Sequence, residues 1–344
     1  MPEVLPRSAA PVITQASIRN ELDDFIVEEV SSFDAFGSGE HLLLTLRKRG
    51  LSTHALIEHV ATWAGVPTSA IGYAGLKDKH AVTTQRLTVW LPKRKSPDIA
   101  TLNTDAIEVI EAVWHNRKLS TGALKGNRFT LVLRDVAGDP EAIRARVSDI
   151  AQHGVPNYYG EQRFGRFGDN VAQARDMFAG KRVARETRSL LLSAARSDMF
   201  NQVLAQRVEA GTWRAALAGD VFMLDGSQSI FGPVEDDESI HARLESGDIH
   251  PTGPLWGRGD LRTQADAQSL ETEVLMSTDN DALRTGLEAA GMKQERRSLR
   301  LRVRDLHATQ EGTTLTLQFA LDPGSYATTV LHALGEVIDP MRKA

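Results

Sequence analysis

Period-two alternation of apolar and polar residues marks both ends of this chain and not its middle, and that distribution limits the fold more than any other feature. In the first part Leu87, Val89 and Leu91 alternate with Arg86, Thr88 and Trp90, and Phe129, Leu131 and Leu133 alternate within RFTLVLRDV. Near the other end Leu299, Leu301 and Val303 alternate with Arg300, Arg302 and Arg304, and after HATQEG come Leu315, Leu317, Phe319 and Leu321. A period of two is that of a strand with one buried face. The last two runs predict a hairpin whose first strand turns three arginines outward, to solvent or to an anion. Strand-rich parts flanking a mixed middle predict a first domain interrupted by an inserted second one, which 344 residues are enough to build.

Shorter signals fill in the rest. DDFIVEEV (23–30) and EHLLLTLRKRG (40–50) read as strands, whereas Leu56, Ile57, Val60 and Trp63 recur at helical spacing from Thr53 until Gly65 and Pro67 stop the run. Asp139 and Pro140 supply an N-cap and a first helical residue for a stripe of Ile143, Val147 and Ile150. A longer helix is predicted over 189–211, with Leu192, Ala195, Met199 and Val203 on one face. Beyond it GPVEDDES and SGDIHPTGPLWGRGD, with Pro251 and Pro254, predict a loop-rich insert.

The net charge of −5 conceals a division. Residues 219–281 carry 14 acids against three arginines, so the remainder is basic, with clusters at Arg47 to Arg49, Lys93 to Lys95, Arg117-Lys118 and Arg296 to Arg304. A polyanion could bind that remainder, and solvated charged faces would look the same. The absence of cysteine excludes disulfides, thiolate metal sites and a cysteine nucleophile. No apolar run approaches a membrane span, and the opening residues, with Pro2, Pro6 and Pro11, read as a loose leader rather than a secretory signal. Without GxGxxG, P-loop, HExxH or GxSxG, dehydrogenase and P-loop NTPase readings fall away.

Three clusters carry candidate chemistry. In IGYAGLKDKHAVTTQR (71–86) Asp78 stands between Lys77 and Lys79, which favours a carboxylate available as nucleophile or electrostatic stabiliser; a surface ion pair explains the same residues. HGVPNYYGEQRFGRFGDN (153–170) mixes aromatic rings, arginines and glycines, as suits base stacking and phosphate pairing or an aromatic loop pinned into a core. LDPGSYATTVL (321–331) turns at Pro323-Gly324 just before Tyr326.

Taken in order across nearly the whole chain, DDFIVEE, GYAGLKDKHAVTTQ, HNRKLSTGALKGNRFTLVLRDV, GVPNYYGEQRFGRFGDN, SAARSDMFNQVLAQR and FALDPGSYAT resemble the TruD family of tRNA pseudouridine synthases. Arg19 stands where that family usually has lysine, Leu22 where it has proline, and Tyr159 where phenylalanine is common. The resemblance implies an α+β protein: a pseudouridine-synthase catalytic domain on a mixed, mainly antiparallel sheet (1–182 and 299–344), plus an inserted α/β TRUD domain (183–298). It implies isomerisation of uridine, at position 13 of tRNA, with Asp78 as nucleophile and neither metal nor cofactor. Phe25, Tyr159 and Tyr326 would lie against the flipped uracil, Asn157 would hydrogen-bond it or position its loop, and Lys77 would keep Asp78 ionised. The implied partner is tRNA, without membrane or small-molecule cofactor, and the implied state is a cytoplasmic monomer. A noncatalytic RNA-binding protein of the same fold is the alternative. A glycosidase would need a second carboxylate, and these motifs offer no convincing one.

Overall fold

The structure, a computed structural model, describes residues 5–234 and 237–342. Pro2 of the expected leader and Glu235 and Asp236 of the acidic segment lie outside the described residues. The chain forms two compact units. The sheet unit comprises Val12–Val147, Arg304–Gly324 and Glu336–Ala344; the helical unit comprises Met1–Pro11, Ser148–Val303 and Ser325–Gly335.

In the sheet unit nine strands form one sheet. Its main path runs Arg304–Glu311, Thr314–Leu321, Leu124–Ala137, Phe25–Ser31, Val82–Trp90, His41–Arg49 and Ile107–His115. Phe25–Ser31 and Val82–Trp90 are parallel, with Ile26 opposite Val82, and the other pairings described in this sheet are antiparallel. The sheet is therefore mixed and mainly antiparallel, as the α+β expectation required. Alternation places Phe129, Leu131 and Leu133 on the buried face of Leu124–Ala137. In His41–Arg49 the two faces differ: Leu42, Leu44 and Leu46 are buried on one, whereas the other buries Leu43 and leaves Thr45 and Arg47 partly exposed. Helix Thr53–Ala64 covers the first face, packing Leu56, Ile57, Val60 and Ala61 with Leu42, Leu44, Leu46, Leu87 and Val89. Ser52 caps this helix by accepting the Ala55 amide, and Gly65 ends it at φ 65°, where a side chain would be strained.

The C-terminal hairpin exists with a different first strand. Thr314–Leu321 pairs with Arg304–Glu311, whereas Arg300–Leu301 belongs to the helical unit and pairs there with Val155–Pro156. The expected outward row of arginines is not formed: Arg300 is buried and donates to the carbonyls of His153 at 2.6 Å and Leu244 at 2.8 Å. Burial, with Arg302 and Arg214 adding to it, lowers its pKa to about 10. The expected leader is likewise tied down from Leu5 onward in the helical unit, since the Tyr158 hydroxyl donates to the Pro6 carbonyl at 3.2 Å and Arg7 to the His332 carbonyl at 3.0 Å.

The helical unit is organised by Arg185–Glu209. Leu191, Ala195, Met199 and Val203 on its inner face pack with Ala174 and Met177 of Asn170–Phe178 and with Leu283 and Leu287 of Asp281–Ala289. Because Asn170–Phe178 lies on this long helix, the compact unit begins at Ser148, and the 183–298 stretch sits inside a larger packed body. The acidic segment is not the loop-rich insert expected. It holds helices Glu238–Ser246 and Ala265–Leu275 and contributes to a four-stranded sheet ordered Ile230–Phe231, Phe222–Leu224, Ile249–Leu255, Glu295–Ser298. Ile249–Leu255 tolerates Pro251 and Pro254 because the groups that remain are used: the Thr252 amide donates to Val221 and the Pro251 carbonyl accepts from Leu299. Two buried ion pairs stitch this region, Arg207–Asp220 at 2.9 Å and Arg296–Glu271 at 2.5 Å.

Arg300→Ala is expected to lower the unfolding free energy by about 2–4 kcal/mol, because buried carbonyls lose charge-assisted donors. Urea denaturation measures it. A change under about 0.5 kcal/mol, ordinary for a surface residue, would return Arg300 to the outward role.

Candidate active site

Asp78 lies on the loop between strands Ile71–Tyr73 and Val82–Trp90. The main chain of this loop is held from two sides: Lys48 Nζ donates to the Asp78 carbonyl at 2.7 Å, and Thr53 Oγ1 accepts the Lys77 amide at 2.9 Å. Gly72 carries no side chain because a Cβ there would lie 2.5 Å from the Leu119 carbonyl oxygen. The Asp78 side chain is 39% exposed and meets Arg19 Nη2 at 3.1 Å. The other terminal nitrogen of Arg19 bonds Asp339, and its guanidinium lies 3.8 Å over the Phe25 ring. Arg19 adopts a left-handed backbone at φ 59°, a conformation that costs a non-glycine residue about 1–2 kcal/mol. The neighbouring turn is anchored by buried Asp24, which accepts from Arg134 at 2.7 Å and from the Glu21 amide at 2.9 Å.

Two cations here differ from expectation. Lys77 was expected beside the Asp78 carboxylate; its ammonium is instead 2.8 Å from Glu29, in a pair whose side chains are both buried. The positive group at the carboxylate is Arg19. Lys48 has no exposed surface, and burial lowers its pKa to about 8, with Asp78 opposing the shift and Lys77 adding to it. The sequence did contain a signal for Lys48, since it continues the row Leu42, Leu44, Leu46 on the apolar face of its strand.

Asn157, Tyr159 and Tyr326 lie in the helical unit. The main chain of Tyr159 is clamped by Asn201, whose side chain accepts from its amide at 2.9 Å and donates to its carbonyl at 3.0 Å. The Arg297 guanidinium lies 4.2 Å over the Tyr159 ring, and Phe200 and Tyr326 meet the ring edge-on at 5.6 and 6.1 Å. Arg297 also donates to Asn157 Oδ1 at 2.7 Å, while Asn157 Nδ2 donates to the Ser298 carbonyl at 2.8 Å. Burial lowers the Arg297 pKa, and Tyr159 and Tyr326 counter it. Arg163 donates to the Tyr326 hydroxyl at 3.0 Å and to Ser193 at 2.7 Å. Gly160 admits Tyr326, because a Cβ would lie 3.0 Å from its ring.

The predicted residues thus form two sets, Phe25, Lys77 and Asp78 in the sheet unit and Asn157, Tyr159 and Tyr326 in the helical unit. Phe25 and Tyr159 are buried under guanidinium groups; Tyr326 is half-buried. Asn201 and Arg297 went unrecognised in the sequence, Arg297 because it belongs to a basic run that looks like surface, whereas Arg163 stood among the arginines of 153–170 as a phosphate partner rather than a partner of Tyr326. Among the described residues no group of three His, Cys, Asp or Glu is set to hold a metal ion.

A mixed, mainly antiparallel sheet and a helical unit define an α+β protein, and a loop of its sheet unit carries a partly exposed aspartate beside an arginine. The family model for tRNA pseudouridine synthase D (TruD) matches residues 11–174 and 169–334. A tRNA pseudouridine synthase D from Xanthomonas campestris pv. campestris (strain 8004) is 54% identical over 99% of this chain and 97% of its own length. One from Hydrogenovibrio crunogenus is 44% identical over 94% and 93%. The crystal structure of a chain assigned as tRNA pseudouridine synthase D from Methanosarcina mazei superposes with a TM-score of 0.74, covering 98% of this chain and 97% of that one at 21% identity. The chain belongs to the tRNA pseudouridine synthase D family.

The folded chain releases the Lys48 proton near pH 8, whereas the ordinary value is 10.5. Across that window the unfolded state holds more protons, so stability gained from this group rises with pH. The stability of wild type relative to Lys48→Met, followed by urea unfolding from pH 7.5 to 10, should therefore climb. A flat difference would show that burial does not strip this lysine of its charge.

Proposed function

We propose that this chain isomerises uridine to pseudouridine in tRNA, at position 13, with Asp78 as nucleophile. The observation that carries the reading is the Asp78 carboxylate, partly exposed on a loop whose main chain Lys48 and Thr53 lock and whose side chain Arg19 orients. Membership of the family and relatives named for this activity support it. The reaction exchanges the C1′–N1 glycosidic bond for a C1′–C5 bond without oxidation or net group transfer. It asks for a carboxylate to engage the nucleotide, room for the freed uracil to turn, and loss of the C5 proton after reattachment. Asp78 supplies the first, and no cofactor is needed.

The target base must leave its stack, which calls for aromatic surface on its faces. In this reading half-buried Tyr326 stacks on the uracil, with its hydroxyl held by Arg163. Phe25 and Tyr159 shape the base site while carrying Arg19 and Arg297, and Asn157 hydrogen-bonds the base. Lys77, paired to Glu29, holds the Asp78 loop. The 183–298 stretch is the inserted TRUD module, and the protein works on tRNA as a cytoplasmic monomer.

Asp78→Asn keeps the size of the side chain and removes the carboxylate. Its release of tritium from tRNA carrying C5-labelled uridine should fall roughly a thousandfold or more, with tRNA retained in filter binding. Tyr326→Ala should cost roughly tenfold or more in single-turnover rate or binding. Near wild-type turnover in Asp78→Asn would overturn the nucleophile, and wild-type protein that binds tRNA without releasing tritium would make it a binding protein only.

A further inference from the structure

Strand Ile107–His115 runs into HNRKLSTG, a segment with no part in the Asp78 site. The chain there turns back on the sheet, the Leu119 amide donating to Thr88 Oγ1 at 2.9 Å and the Gly122 amide to the Ala74 carbonyl at 2.7 Å. The turn leaves a cavity of about 170 Å³, walled by Ser32, Phe33, His115, Arg117, Lys118 and Ser120 among others. That volume is several times the share of one water molecule in the liquid.

The polar groups of this cavity are donors in search of an acceptor. His115 is 3% exposed and stacks on Phe33 with ring centroids 4.9 Å apart. Its Nδ1 accepts the Phe36 amide at 3.3 Å, which in the neutral ring leaves the proton on Nε2, and Nε2 has no hydrogen-bond partner among the described residues. Buried donors are seldom left in that state. The Arg117 guanidinium is 5.8 Å from the centre of the Phe33 ring and makes no hydrogen bond or ion pair among the described residues. Arg86 approaches the same ring at 5.9 Å while bonding Ser31 and the Phe33 carbonyl. Lys118 spends one donor on the Ser69 carbonyl at 2.6 Å and keeps two. Among the described residues no wall residue is acidic. Burial first, then Arg117, His41 and Arg86, push the His115 pKa down, so the charges acting on it share one sign. The wider concavity along helix Thr53–Ala64 is walled by Glu58 and Thr62 and offers no cation.

We propose that this pocket is a phosphate-binding subsite that grips one phosphodiester of the RNA substrate, with Arg117 and Lys118 supplying charge and His115 Nε2 a directed hydrogen bond. A phosphodiester suits it because its unesterified oxygens accept several hydrogen bonds at once and carry the opposite charge. The inference rests on the tRNA reading above. His41, paired with His115, and Lys48, which holds Asp78, stand seven residues apart on one strand, about 23 Å at roughly 3.3 Å per residue. The phosphate bound here belongs to a nucleotide other than the reacting one, so the subsite adds affinity and register rather than chemistry.

The test is tRNA binding and turnover by Arg117→Ala/Lys118→Ala, with Arg117→Lys beside it. The double variant should bind tRNA about 5- to 50-fold more weakly, with the slope of log affinity against log salt reduced by roughly one to two, while the single-turnover rate at saturating tRNA stays that of wild type. Arg117→Lys should recover most of the affinity. Unchanged tRNA affinity and salt slope in a double variant whose melting temperature matches wild type would overturn the subsite, as would a fall in rate at saturation without loss of binding. Inorganic phosphate titrated into the wild-type protein should shift the His115 ring nitrogen resonances, and tRNA should reproduce the shift. A shift with phosphate that tRNA does not reproduce would assign the pocket to free phosphate and overturn the RNA assignment. Failure of the wild type to form pseudouridine would instead strike the activity and leave the binding comparison to judge the subsite.

Discussion

A lysine with no exposed surface at the end of an apolar strand face is the constraint on which the candidate chemistry hangs. Taking an ammonium group out of water costs several kcal/mol unless it finds partners, and Lys48 finds the Asp78 carbonyl at 2.7 Å. Relaxing the loop that bears Asp78 would therefore strand a buried donor, which ties the loop to the sheet core. Thr53 adds a second tie at Lys77, one residue earlier, and comes from the start of the helix that covers the same sheet face. Main-chain clamping of this kind leaves the carboxylate itself partly open to solvent, with Arg19 fixing its direction.

Charge in this protein divides into groups used for folding and groups left for a ligand, and the division cuts across the clusters visible in the sequence. Of the run Arg296 to Arg304, Arg296 is consumed by Glu271 and Thr252, Arg297 by Asn157 and the Tyr159 ring, and Arg300 by carbonyls. In Arg47 to Arg49 the two arginines pair with Glu108 and Asp23 while the lysine between them turns inward. Lys93, Arg94 and Lys95 stay exposed, Arg94 lying near the Trp114 ring, and the Arg117 guanidinium, near the Phe33 ring, makes no hydrogen bond or ion pair among the described residues. A count of basic residues therefore overstates the cationic surface. What matters is which of them have lost their water to an internal partner, because each donor given to a carbonyl or carboxylate is one fewer for a phosphate.

Much of the fold was legible because it follows from local physics. Period-two runs became strands at Val82–Trp90, Leu124–Ala137 and Thr314–Leu321, and the stripe ended by Gly65 became a capped helix. The failures occurred where tertiary partners override local preference. Pro251 and Pro254 advertise a loop, yet their strand persists because Val221 and Leu299 bond the groups that proline leaves available. Leu299 to Arg304 alternates like a hairpin strand, but Arg300 is drawn inward by free carbonyls at His153 and Leu244, so the pairing starts only at Arg304. In the candidate site Asp78 stood out by its charged, glycine-loosened setting, whereas its cation did not. Lys77 is adjacent in sequence, but its ammonium is taken by buried Glu29 of strand Phe25–Ser31, and Arg19, 59 positions away, arrives through the fold.

The same device recurs in both units: a guanidinium lies over an aromatic ring, Arg19 on Phe25 at 3.8 Å and Arg297 on Tyr159 at 4.2 Å. A desolvated contact of this type is worth about 2 kcal/mol, and stacking a nucleobase on an aromatic ring about 1–3 kcal/mol. Exchanging one for the other is close to neutral in the ring's own account, so the outcome depends on what the arginine loses elsewhere. Arg19 would give up Asp339 and Asp78, and Arg297 would give up Asn157. Those losses exceed the gain from stacking, which keeps both arginines in place. Phe25 and Tyr159 thus serve as platforms that aim guanidinium groups, whereas the half-buried Tyr326 ring is held through its hydroxyl by Arg163.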